Sequence, residues 1–272
     1  MKKFFILYIA VSSIFLNNNI FGQNVFEKAT YQIKFIRNQS GQQKESTQLA
    51  KQITEMLSLQ IEKSFDLYFN ESKSVYKEKI NLDKPDNSIS FLNRSYNTSK
   101  DIYFKNTKNG TFIFQNEFFG KVFLIKDTLP KFNWVLKKES KMIGNYLCFR
   151  ATSKMLKTVL NFEQINKVRK YNFSTNDKES ILQLSEINAW YTTQIPISQG
   201  PKEFWGLPGL IMEVNYANTQ LLCTKLTFNE EDSKIIKIPK RGEIISQLKY
   251  DKIKESKLIE FQNMFNNKSN GN

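Results

Sequence analysis

The sequence predicts a mainly β protein of the α+β class: a curved antiparallel sheet of roughly eight to ten strands, one helix in the N-terminal half and a second at the C-terminus. Three observations predict it. Aromatic residues make up 14% of the chain, with 23 Phe and 11 Tyr, and such side chains fit best on the pleated, half-buried surface of a strand. The apolar runs are short and joined by turns, whereas parallel neighbours would need long crossovers. Only two segments carry apolar residues at helical spacing.

The elements follow in order. The chain opens "MKKFFILYIAVSSIFLNNNIFGQN", with Lys2 and Lys3 before an apolar run from Phe4 to Leu16 and a polar exit to Gly22. That is the pattern of a secretory signal peptide, expected to occupy residues 1–22 with cleavage near Gly22; the run falls short of the roughly 20 apolar residues a membrane span needs. Residues 23–272 then form one domain, since no repeat or Pro- or Ser-rich linker divides them. "ATYQIKFIRN" alternates Tyr31, Ile33 and Phe35 with polar neighbours, a first strand with one buried face. Leu49, Ile53, Met56, Leu57 and Ile61 recur at helical spacing and predict an amphipathic helix over Glu45 to Lys63. "SFDLYFNESKSVYKEK" reads as a hairpin turning at Asn70 to Ser72, and "DIYFKNTKNGTFIFQNE" as another turning at Asn109 and Gly110. Three further strands follow, broken near Pro130 and Gly144. Val159 to Ile187 is polar and turn-rich, an excursion from the sheet. "AWYTTQIPIS", closed by Pro196, and "QLLCTKLTF" are strands, and "QLKYDKIKESKLIEFQNMF" is the C-terminal helix.

Composition narrows the function. The formal charge is +14, with 40 basic and 26 acidic residues and no histidine. The lysines are spread along the chain, with only short clusters at Lys167 to Lys170 and Lys234 to Arg241, so no nucleic-acid face is expected; acidic lipid headgroups are the fitting partner for peripheral contact. Without histidine there is no Ser-His-Asp or Cys-His constellation and no imidazole base. Neither a metal site nor a cofactor is expected, and no catalytic residue is assigned; an enzyme here would be a carboxylate-dependent hydrolase. Cys148 and Cys223 leave two readings open, a disulfide closing a long loop or two buried thiols packing as small hydrophobes.

The most patterned stretch is "EFWGLPGLIMEV", Glu203 to Val214. Pro208 and Gly209 fit the two central positions of a type II turn, with Gly209 at positive φ. Gly206 serves either a close backbone approach or a second unusual conformation. Leu210, Met212 and Val214 are expected on one face of the outgoing strand, Ile211 and Glu213 on the other. Leu207, Leu210 and Ile211 read as apolar anchors. Phe204 and Trp205 line a cavity, cover an edge or simply pack, so that Phe204 to Ile211 is either a structural corner or a contact surface.

This stretch, together with Trp134 and "IGNYLCFRAT" (Ile143 to Thr152), "AWYTTQIPISQGP" (Ala189 to Pro201) and "FDLYFNESKSVY", resembles the GLPGLI family of exported Bacteroidota proteins. The resemblance implies a signal-peptide-bearing, β-rich envelope protein, associated with outer-membrane receptor systems, and transfers no catalytic residue. The long excursion and Cys223 depart from the pattern. The expectation is a non-catalytic periplasmic or outer-membrane-associated module. It binds or carries an apolar ligand or a segment of an outer-membrane protein, an architecture similar in outline to lipoprotein carriers. The alternative is an assembly partner of an outer-membrane receptor with no small ligand.

Overall fold

The computed structural model describes residues 26–35, 63–79, 101–158, 182–216, 219–230 and 236–269. The signal peptide and the helix expected over Glu45 to Lys63 lie outside the described residues, Lys63 itself excepted. Among the described residues the strand content is 61%, with a single helix, so the fold is mainly β as the sequence predicts, with twelve described strands in place of eight to ten.

The strands are β1 (Phe26–Phe35), β2 (Ser64–Phe69), β3 (Lys73–Glu78), β4 (Ile102–Asn106), β5 (Thr111–Phe118), β6 (Lys121–Thr128), β7 (Val135–Ile143), β8 (Tyr146–Thr158), β9 (Leu182–Thr192), β10 (Leu210–Tyr216), β11 (Thr219–Glu230) and β12 (Glu243–Ile245), followed by helix α1 (Gln247–Ser269). All belong to one sheet, in the order β12-β6-β5-β4-β3-β2-β1-β11-β10-β9-β8-β7. The expected hairpins are present. Asn70 accepts hydrogen bonds at its side-chain oxygen from the Ser72 and Lys73 amides, and Asn106 does the same for the Asn109 amide at the next turn. Both are Asx devices that bend the chain locally.

Two elements depart from expectation. β12 pairs with β6 in parallel, so the sheet is mixed; three residues between Pro239 and the helix are too few to announce themselves by alternation. The excursion expected over Val159 to Ile187 lies outside the described residues up to 181, and its last residues, Leu182 to Ile187, belong to β9.

The sheet is curled, and the chain shows why. β6 lies second and β7 last in the strand order, ten spacings apart, or about 48 Å across a flat sheet. Only Leu129 to Trp134 joins them, a segment that reaches at most about 25 Å. The two margins must therefore bend towards each other, although the sheet does not close. Directly opposed residues share a face, and one such row runs through Leu226, Ala29, Leu67, Tyr76, Tyr103, Phe114 and Ile125. This is the inner, concave face.

Helix α1 closes one end. Ser246 caps it through its hydroxyl to the Lys249 amide, Asp127 accepts from the Gln247 amide, and Tyr250 packs edge-on against Phe118 and Phe123. Carboxylate and hydroxyl acceptors at a helix start satisfy amides that have no partner within the helix.

Candidate functional site

The segment between β9 and β10 does not leave the sheet; it folds back across the concave face and is pinned there. The amides of Leu210 and Ile211 donate to the carbonyls of Ile195 and Gln199, both at 3.0 Å, and the Phe204 amide to Pro201 at 3.1 Å. From β1, the Tyr31 hydroxyl donates to the Ile211 carbonyl at 2.6 Å. From β4, the Lys105 ammonium donates to the carbonyls of Gly200 and Phe204 at 2.5 and 2.8 Å. From the β6–β7 connection, the Trp134 indole donates to the Trp205 carbonyl at 2.9 Å, and the Trp205 indole donates to the Pro130 carbonyl at 2.9 Å. A buried carbonyl without a partner costs about 1–3 kcal/mol, so these long side chains supply what a ladder would supply in a strand.

Gly206 takes one of the two roles expected of it, and Gly209 departs from the one expected. Gly206, at φ +93°, holds the left-handed conformation, and Gly209 does not; Pro208 and Gly209 therefore form no type II turn. Gly209 is instead a place of close approach, where a Cβ would stand 2.0 Å from the Thr192 carbonyl oxygen. The faces of β10 are also reassigned. A register shift between Ile211 and Glu213 puts Ile211 and Val214 into one core cluster and leaves Leu210 and Met212 in another. A bulge does this, since one extra residue flips every later side chain.

Each expected site residue can now be placed. Leu207, Leu210 and Ile211 are buried, as anchors should be. Phe204 is fully buried and packs on Phe132 and Tyr216, with ring centroids 5.6 and 5.1 Å away. Trp205 is half-buried, and Gly206 and Pro208 are exposed at the apex. Cys148 and Cys223 are buried free thiols. β9 and β10 stand between their strands, a separation of about 14 Å across the sheet, where a bridge needs Cα atoms within about 7 Å. Burial pushes the thiols up to about 11 and about 12, which makes them inert packing groups.

The sequence reading missed the polar group beneath the corner. Lys105 is fully buried, and burial lowers its ammonium to about 7, against the opposing pull of Glu203. The Lys202 ammonium is raised, by the charge and hydrogen bond of Tyr216 and by Glu203 against the cost of its burial. Lys202 also sits at φ +47°, an unusual conformation for a residue with a side chain. Tyr76, Tyr103 and Tyr216 are pushed up by burial first, with the Glu203 charge adding to it. Ser74, opposite Lys105 in the register, has a buried hydroxyl, as does Tyr76, and neither has a hydrogen-bond partner among the described residues. The one available signal was a lysine on the apolar side of β4: Tyr103 and Lys105 alternate with Ile102 and Phe104.

Comparison with known proteins adds a family match. Residues 134–213 match the model of a Bacteroidota-associated family described as a protein of unknown function (Porph_ging). The match begins at Trp134 and ends at Glu213, so it spans β7, β8, β9, the corner and the start of β10. No curated protein matches. Among solved structures the chain is similar to PNGF-II in a C2 crystal, at 14% identity and a TM-score of 0.47, covering 84% of this chain and 32% of that one. It is similar in the same degree to PNGF-II in a P21 crystal, covering 85% of this chain and 33% of that one. The chain thus spans about a third of the length of the solved structures it matches.

Proposed function

We propose that this chain is an exported envelope protein of the GLPGLI type that works by binding, in the periplasm or at the outer membrane, after loss of a signal peptide near Gly22. Its occupant is a segment of an outer-membrane protein, and the corner from Phe204 to Ile211 is the platform that meets it. The observation that carries this reading is the way the corner is held. Trp205 is fixed through both its carbonyl and its indole, while Gly206 and Pro208 beside it face solvent. A rigid exposed apex loses little conformational freedom on docking. An enclosed apolar ligand is the weaker form of the same reading, because Phe204 is fully buried against Phe132 and Tyr216 and the neighbouring buried groups Lys105, Ser74 and Tyr76 are polar.

A photo-crosslinking residue at Pro208, in the native envelope, tests this, with Lys108 at the exposed β4–β5 turn as the control position. A discrete adduct with an outer-membrane protein from position 208 and none from 108 is the expected result. Equal labelling from both positions would remove the corner as a contact. Uptake of a lipid-like probe by the delipidated protein, with a shift in Trp205 emission, would return the apolar ligand to first place.

A further inference from the structure

The β7 margin of the sheet joins exposed apolar residues to unevenly paired charges. β7 is the last strand in the order, and from Val135 to Ser140 every residue is exposed. Leu136 and Met142 are 55% and 59% exposed, and Leu147, opposite Met142 in the register, is 42% exposed. These three share a face. Leu136 opposes Ala151 and Ser140 opposes Phe149, both of which belong to or pack against the inner core cluster. The concave face therefore runs out to its lip as an exposed apolar strip, next to a strand with one side unpaired among the described residues.

The strand is also guarded. Between the pairs Leu136–Ala151 and Ser140–Phe149 the register shifts, so Lys137, Lys138 and Glu139 bulge against β8. Bulges and lysines at a margin discourage indiscriminate strand pairing. The charges are unequally used: Glu139 pairs with Arg150 at 3.2 Å and Lys141 with Glu213 at 2.5 Å. Lys137 and Lys138 have no ion pair among the described residues.

We propose that β7 accepts an added strand from a partner whose sequence alternates apolar and acidic residues. Its apolar side chains cover Leu136, Met142 and Leu147 on the inner face, and its carboxylates meet Lys137 and Lys138 at the bulge. Backbone hydrogen bonds supply adhesion and the two faces supply selectivity, as in other strand-addition complexes. A device that repels neutral and basic strands is at the same time one that selects an acidic one, and a chain of formal charge +14 attracts such a partner from a distance. A second copy of this chain fits worse. Face-matched antiparallel pairing of two β7 strands about Glu139 sets Lys137 against Lys141 and Glu139 against itself, and like charges directly opposed are destabilising. The margin adjoins the corner, since Trp134, which holds Trp205, immediately precedes Val135. The inference rests on the binding reading above and names the partner's chemistry.

The test uses the mature chain and a fluorescein-labelled peptide of about ten residues, a full strand's length, alternating valine and glutamate. Binding is followed by polarisation, and the amides of residues 140–143 by hydrogen exchange. Saturable binding is expected, with slowed exchange at those amides. N-methylation of alternate peptide residues should weaken it by at least about tenfold, as should replacement of glutamate by lysine. The exposed double substitution Lys137→Glu, Lys138→Glu should invert the preference between the glutamate and lysine peptides. Binding that ignores N-methylation, an unchanged preference in the double variant, or no binding at about 1 mM overturns the proposal. So does a dimer of the free chain in which the 140–143 amides are already protected. Failure here with a specific Pro208 adduct intact leaves the binding reading standing; success here with no adduct removes the corner and keeps the margin.

Discussion

β7 and the start of β10 lie within the same matched stretch of chain, with two strands between them in the sheet, and the two could hardly differ more. β10 is buried at six of its seven positions, with neighbours on both edges and the corner pinned at its start. β7 is exposed at seven of its nine positions, has one neighbour among the described strands, and bulges away from it. The contrast teaches how a curled sheet divides labour. Its middle is made rigid by side chains that reach across the concavity, and its margin is left open, with charge deciding what may pair there.

The sharpest way to break the contrast is Gly209→Ala. The new methyl would stand 2.0 Å from the Thr192 carbonyl oxygen, backbone against backbone, and should cost about 3 kcal/mol in denaturant unfolding. A variant within experimental error of the parent would show that the close approach does not exist.

Lys105→Met comes next, and its cost depends on pH. The buried ammonium titrates near 7, whereas an unfolded lysine titrates near about 10.4. Between these values the unfolded chain binds a proton that the folded chain does not, so this lysine's contribution to stability rises with pH across that window and falls away towards pH 7. Removing it strips the Gly200 and Phe204 carbonyls of their donor, about 2 kcal/mol near pH 10, with a smaller loss at pH 7, where the parent itself bears the cost of a buried charge. A loss that is flat with pH, in parallel unfolding titrations, would mean that Lys105 does not titrate in this window.

Tyr31→Phe removes a single hydrogen bond to Ile211 and should lower stability by about 1 kcal/mol. At the other extreme, Lys137→Ala with Lys138→Ala alters only the open margin. It should move the unfolding midpoint by no more than about 0.5 kcal/mol equivalent; a loss as large as that of Tyr31→Phe would mean that the β7 bulge is part of the folded core.

Much of the fold was legible because its cues are local. Asn70 and Asn106 bend their turns through their own side chains, and Tyr31 and Ile33 alternate with Gln32 and Lys34 as a half-buried strand must. β12 is one of the strands beyond the eight to ten expected, being three residues long and owing its strand character to β6. The candidate site was legible as a motif but not as a geometry. Which glycine of the "GLPGLI" stretch bends and which one fits against a neighbour is decided by Thr192, on another strand, and nothing within the hexapeptide encodes that. Leu207 and Ile211 could be recognised as anchors from their type alone. Lys105 could not be recognised as a pin, because its acceptors are backbone carbonyls about a hundred residues away, and a carbonyl leaves no trace in a sequence.

The central claim is that the corner is a fixed platform beside an open margin, and amide hydrogen exchange on the free protein tests it most directly. The amides of Leu210 and Ile211 are predicted to exchange only through global unfolding, and the solvent-facing amides of β7 orders of magnitude faster. Comparable rates at Leu210, Ile211 and the β7 margin would contradict the account, for the corner would then open locally and hold nothing in place.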